Sequence, residues 1–317
     1  MQTKSRESRK GWILKMLIAV TAAAVLLALA ACIRLASYVM TGNRQTLDEA
    51  MAWQTDHYDT SFYQNLEKTD YTVPGQDGYI LHVQELKNPT PSDRYMILSH
   101  GYTDNRIGSL KYVPMYLELG FNCVIYDLRG HGENERTFTT YGILEGADLK
   151  LLIEDTRNRY PELEQLGLHG ESLGASSTIT ALKYHPDVDF VVADCGFADI
   201  MNVLREGYRG AGTPIFLADL ADLGARIRYG YALKSMRPID SLNENEIPIL
   251  FIHGEDDTFI LPENAQAMYE RTKGVREIRL IAEAGHAESI LKAPDEYKEY
   301  VDSFLQKLGL KEDGVRQ

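Results

Sequence analysis

Ser172 lies in Gly170-Glu171-Ser172-Leu173-Gly174, directly after the strand-like 166–169 and before a helix-like run at 175–184. A serine on a sharp strand-to-helix turn needs neighbours without side chains, because the two elements pack closely on either side of it. The helix that follows also offers its N-terminus to a developing negative charge. An ordinary helix N-cap would explain the same serine without any chemistry.

A serine hydroxyl is a weak nucleophile at neutral pH, so it needs a base oriented by a third group. His286, in Glu283-Ala284-Gly285-His286, is the candidate base, and Asp257, in His253-Gly254-Glu255-Asp256-Asp257, is the candidate acid. Each follows a strand-like run, and the chain order is serine, aspartate, histidine. Asp256 and Asp194 are the rival acids; Asp257 is preferred for its position relative to Gly254. A tetrahedral intermediate also requires donors for its oxyanion. The backbone N–H groups of Leu173, just after the serine, and Tyr102, just after Gly101, are expected to supply them. His100, Arg129 and His131 read as braces for their loops, and Glu171 as a side chain turned into a polar contact away from the pocket.

These residues must be held at one edge by alternating strands and helices. Runs at 79–83, 95–99, 122–126, 190–193, 249–252 and 277–281 read as strands, three of them continuously apolar as strands buried on both faces require. Helical patterns cover 141–160, 262–272 and 288–309. That alternation predicts a mostly parallel, doubly wound sheet. Residues 197–240 are too long for one crossover and read as a partly helical cap over the carboxyl edge, where open α/β sheets bind ligands. Cys123 and Cys195 fall in or beside buried strands and read as packing residues.

The N-terminus is a separate device. Residues 1–15 carry Lys4, Arg6, Arg9, Lys10 and Lys15 against Glu7, although the whole chain has a net charge of −13. Residues 16–33 hold no charge, which at 1.5 Å per residue nearly spans a ~30 Å hydrocarbon core. The expected layout is a cytoplasmic basic tip at 1–10, a transmembrane anchor at 11–40, a linker running into helix at 41–67, the enzyme domain at 68–309 and a tail at 310–317. The flanking positive charges direct the body out of the cytoplasm. A cleaved secretory signal, or a lipoprotein signal with Leu29-Ala30-Ala31 ahead of Cys32, would put the body on the same side.

Composition narrows the rest. With 44% hydrophobic and 25% charged residues the chain is globular, and its acidity argues against a nucleic-acid partner. No H-E-x-x-H spacing or phosphate-binding loop is present, so no metal or organic cofactor is expected.

In combination, His100-Gly101, Asp127-Leu128-Arg129-Gly130-His131-Gly132, the serine pentapeptide, the Asp257 segment and Gly285-His286 resemble the α/β-hydrolase superfamily. Most similar are membrane-anchored bacterial hydrolases of the serine-aminopeptidase or monoacylglycerol-lipase type. The resemblance covers roughly residues 68–309. It implies an α/β-hydrolase fold with a helical cap and a hydrolase of esters, thioesters or amides. It implies a small-molecule or peptide substrate and no cofactor. An aminopeptidase-like enzyme, or a non-catalytic binding protein on the same fold, are the alternatives.

Overall fold

The computed structural model describes residues 2–310, with side chains from residue 11; the side chains of the basic tip and the tail at 311–317 lie outside the described residues. The chain opens with three helices, α1 (Gln2–Met40), α2 (Leu47–His57) and α3 (Ser61–Asn65). The strands are β1 (Lys68–Pro74), β2 (Ile80–Leu86), β3 (Arg94–Ser99), β4 (Asn122–Tyr126), β5 (Gln165–Glu171), β6 (Phe190–Asp194), β7 (Ile249–Gly254) and β8 (Arg276–Ile281). They form one sheet in the order β1-β2-β4-β3-β5-β6-β7-β8. The β1–β2 and β2–β4 pairs are antiparallel and the rest are parallel. The sheet is therefore the mostly parallel, doubly wound one that the alternation predicts. β1 has no counterpart among the predicted strands. It is an edge strand with only Val73 buried, so it lacks the apolar run that marks the others.

The remaining helices are α4 (Val113–Glu118), α5 (Ile143–Arg159), α6 (Leu173–Ala181), α7 (Ile200–Gly210), α8 (Phe216–Tyr229), α9 (Glu263–Arg271), α10 (Ser289–Lys292) and α11 (Pro294–Lys307). One apolar layer packs α5, α6, α8 and α9 on one face of the sheet, and a second packs α2, α4 and α11 on the other. The cap segment folds as α7 and α8 with short 3₁₀ turns. The single closing helix expected at 288–309 is divided at Pro294, which has no N–H to continue a helix and serves instead as the first residue of α11.

The segment at 41–67 is less a linker than a docked part of the body. Thr46 caps α2, its Oγ1 accepting from the Glu49 N–H at 3.2 Å while Glu49 Oε2 accepts from the Thr46 N–H at 2.8 Å. Arg44 donates to the carbonyls of Gly130 and Thr137, both at 2.6 Å.

The span expected at 11–40 also divides. α1 is long and apolar enough to cross a membrane over Gly11–Met40. Its side chains from residue 11 through residue 28 are exposed, but Cys32, Ala36, Val39 and Met40 are buried in the body. The cause is α8, whose Gly224 comes so close that a Cβ there would stand 2.0 Å from the Cys32 carbonyl oxygen. Gly224→Val is therefore expected to push α8 off α1 and cost about 1–3 kcal/mol of stability, measurable by urea unfolding of the full chain in detergent.

Candidate active site

The loop between β5 and α6 carries Ser172 in a left-handed conformation, φ 53° and ψ −112°. A non-glycine residue held there is strained, and the surroundings enforce it. A Cβ on Gly170 would lie 2.4 Å from the Gly174 carbonyl carbon, and one on Gly174 would lie 2.0 Å from the Ser99 carbonyl oxygen. Only glycine at both positions lets α6 start against β3 and β5. The Ser172 N–H is held by the Asp194 carbonyl at 2.9 Å.

His286 follows β8 and reaches across to the serine. Its Nε2 is 3.0 Å from Ser172 Oγ and its Nδ1 is 2.7 Å from Asp257 Oδ2. Since the carboxylate can only accept, the imidazole proton sits on Nδ1 and Nε2 is free to accept from the hydroxyl. The ring is partly exposed, and the edge of Phe259, 60% exposed, stands 5.0 Å away between ring centroids.

Asp257 follows β7 with its side chain wholly buried. Its Oδ1 accepts from the N–H groups of Phe259 and Ile260, both at 2.9 Å. Its Oδ2 accepts from His286 and, at 3.2 Å, from His253 Nε2, which also donates to the Ile260 carbonyl at 2.7 Å. Burial alone pushes this carboxyl up, but the two histidines and the Ile260 N–H together hold it well below the usual carboxylate range. The second histidine escapes the sequence reading, although its position four residues before Asp257 is a signal that could have found it.

The rival acids have other surroundings. Asp256 is exposed. Asp194, fully buried, faces the Tyr112 hydroxyl at 3.0 Å, and the same hydroxyl lies 2.6 Å from Glu171. Glu171 also pairs with buried Lys111, whose Nζ donates to the Ala287 carbonyl at 2.8 Å. Glu171 thus enters a polar contact with Tyr112 and Lys111. Lys111 and Tyr112 sit in a 3₁₀ stretch with no motif to announce them.

His100 and His131 are braces. His100 accepts from the Leu128 N–H at 2.9 Å and its other nitrogen lies 2.7 Å from the Gly101 carbonyl, while burial pushes it down to about 4. Arg129 clasps Asp148 with two donors, at 2.9 and 2.6 Å. Cys123 and Cys195 are free and buried.

Of the expected oxyanion donors, Leu173 directly follows the serine. Leu173 is the first residue of α6, so its N–H has no intrahelical acceptor. Gly101 runs alongside, close enough that a Cβ there would be 3.7 Å from Ser172 Cβ. The next residue, Tyr102, turns its side chain to the end of α1, accepting from the Gly42 N–H at 2.9 Å and donating to the Val39 carbonyl at 3.1 Å. Among the described residues no group of three or more His, Cys, Asp or Glu side chains converges as metal ligands would.

A doubly wound sheet with a strained serine at its carboxyl edge defines the class, a serine hydrolase of the α/β-hydrolase superfamily. More narrowly, residues 108–310 match the prolyl oligopeptidase family, and the chain belongs to that family. The uncharacterized protein YqkD of Bacillus subtilis is 32% identical over 276 residues, covering 84% of this chain and 88% of that protein. Alpha/beta hydrolase domain-containing protein 17C of Mus musculus is 27% identical, over 68% of this chain and 61% of its own length. An esterase of Pyrococcus furiosus superposes with a TM-score of 0.65 at 27% identity, over 78% of this chain and 94% of its own. The acylaminoacyl peptidase of Pyrococcus horikoshii shares the fold, with a TM-score of 0.62 at 15% identity, over 81% of this chain and 45% of its own.

The buried acid beside the serine turn gives a pH signature. Burial, reinforced by Glu171, pushes the Asp194 carboxyl from 3.8 up to about 6. Between those values the folded chain binds the extra proton, so this group's contribution makes stability fall as pH rises. Asp194→Asn keeps an acceptor for Tyr112 and removes the titration. Its melting temperature is expected to fall less than the wild type's between pH 4 and pH 7 in parallel thermal scans.

Proposed function

We propose that Ser172 is the nucleophile, His286 the general base and Asp257 the orienting acid of this hydrolase. The reading rests on one observation, the unbroken run of hydrogen bonds from Ser172 Oγ through the imidazole to Asp257, at 3.0 and 2.7 Å. In the first half-reaction Oγ attacks the substrate carbonyl as its proton passes to His286 Nε2. The carbonyl oxygen takes up the negative charge, and the N–H groups of Leu173 and Tyr102 receive it. A donor of this kind typically contributes about 10²–10³ in kcat. The imidazolium then protonates the leaving group, and the acyl-serine is released by water activated at the same nitrogen. Asp257, anionic well into acid, stabilises the imidazolium and fixes its tautomer.

We infer an ester or thioester as the favoured substrate, with carboxylesterase-like or lipase-like activity. The likeness to an esterase at 27% identity over most of both chains supports this. Peptidase activity is the second reading, favoured by the family to which the chain belongs. Against its aminopeptidase form stands Glu171, whose carboxylate is engaged by Lys111 and Tyr112 and is not free to receive a substrate ammonium group. We also infer that α1 is an uncleaved single-pass anchor with the catalytic body outside the cytoplasm. Lipidation at Cys32 is disfavoured because that residue is buried under α8.

Ser172→Ala is expected to abolish both labelling by a fluorophosphonate probe and hydrolysis of short p-nitrophenyl esters; an unlabelled wild type overturns the assignment. Asp257→Asn is expected to lower kcat by about 10⁴-fold, because the amide favours the wrong imidazole tautomer. Turnover of aminoacyl amides without turnover of esters would reverse the preference between the two substrate classes.

A further inference from the structure

One apolar surface plays no part in the site. On α8, Phe216, Leu220, Leu223 and Ile227 recur at three- and four-residue spacing, and Phe216, Leu223 and Ile227 are 59%, 44% and 50% exposed. A stripe of this kind on a helix is normally covered. Its neighbour is α1. Gly224 abuts Cys32, and the Tyr229 hydroxyl donates to Ser37 Oγ at 2.9 Å, so contact recurs five residues further along both helices and the two run parallel. At ~100° per residue the stripe lies roughly 40–100° around α8 from Gly224, adjoining α1. The buried Ala218, Ala221 and Ala225 occupy the other flank, against the body.

The levels along the two helices also agree. The uncharged run of α1 ends at Arg34, two residues beyond Cys32, and α8 bears Arg226 and Arg228 two and four residues beyond Gly224. All three arginines are exposed. Phe216 and Leu223 therefore share the level of the uncharged part of α1, and the arginines share the level where that part ends. Off the stripe, the charge of Asp219 on α8 is neutralised within the protein, by Arg205 at 3.2 Å and Lys234 at 3.0 Å.

We propose that α8 is a second membrane-contacting element, an amphipathic helix whose stripe sits among the acyl chains of the leaflet on the hydrolase side, beside α1. Arg34, Arg226 and Arg228 then lie among the headgroups. The inference rests on α1 being the anchor, and it adds that the cap itself is wetted by lipid. A bilayer fits better than a protein partner because the stripe continues a surface that already requires acyl chains around it.

The test uses the full chain in nanodiscs made with brominated acyl chains, which quench tryptophan. Trp12 and Trp53 are the only native tryptophans. With Trp53→Phe, Trp12 reports on α1; with Trp12→Phe, Trp53 is the control in the body. With both replaced, Leu223→Trp and Phe216→Trp report on the stripe, and each is an exchange at an exposed position. Quenching of both stripe reporters, with blue-shifted emission and unquenched Trp53, is the expected result. Unquenched stripe reporters alongside a quenched Trp12 overturn the proposal, including the case in which a second copy covers the stripe and doubles the mass. An unquenched Trp12 removes the anchor reading, and the proposal with it.

Discussion

The buried charge of Asp257 is the constraint that the rest of the site obeys. A carboxylate taken wholly out of water costs several kcal/mol unless its oxygens are satisfied. Here each oxygen has two donors: the N–H groups of Phe259 and Ile260 on Oδ1, and His253 and His286 on Oδ2. Two of those four come from the loop after β7 and a third, His253, from β7 itself, so the anion is stabilised locally before His286 arrives from the loop after β8. The imidazole is then oriented by an acceptor that is already fixed. His253 belongs to that design as a positioning residue. Its proton is shared with the Ile260 carbonyl, which ties the loop shut around the carboxylate.

The serine obeys a different constraint, the close approach of α6 to the sheet. Its backbone is strained because Gly170 and Gly174 let helix and strands come nearer than side chains allow. A second buried network lies beneath the turn, where Lys111, Tyr112, Glu171 and Asp194 share few protons among several oxygens. Lys111 bonds at once to Glu171, next to the serine, and to the carbonyl of Ala287, next to the histidine. The serine turn and the His286 loop are thereby linked through Lys111 as well as through the Ser172–His286 contact.

Much of this was legible in the chain itself because the physics is local. Gly-x-Ser-x-Gly between a strand and a helix is a statement about steric room, and the apolar runs at β4, β6 and β7 are statements about burial on both faces. What stayed hidden is what depends on partners far away in sequence. β1 has too little burial to show a pattern, and Lys111 and Tyr112 acquire their role only when β5 and β6 bring Glu171 and Asp194 beside them. The division of the closing helix was within reach, since Pro294 stood in plain view. The end of α1 was not. An apolar helix looks the same whether lipid or α8 surrounds it, and only Gly224, a glycine inside another helix, hinted at a close contact.

That last contact changes what the N-terminal helix is. Its final turn is a structural part of the site, because the Val39 carbonyl accepts from Tyr102 and Tyr141 and the Gly42 N–H donates to Tyr102. Tyr102 also follows Gly101 in the loop alongside the serine. Cutting the chain at residue 41 to obtain a soluble body would leave two tyrosine hydroxyls without their acceptor. The sound place to cut is nearer residue 28, where α1 side chains cease to be exposed all round, so the last part of α1 is scaffold for the enzyme.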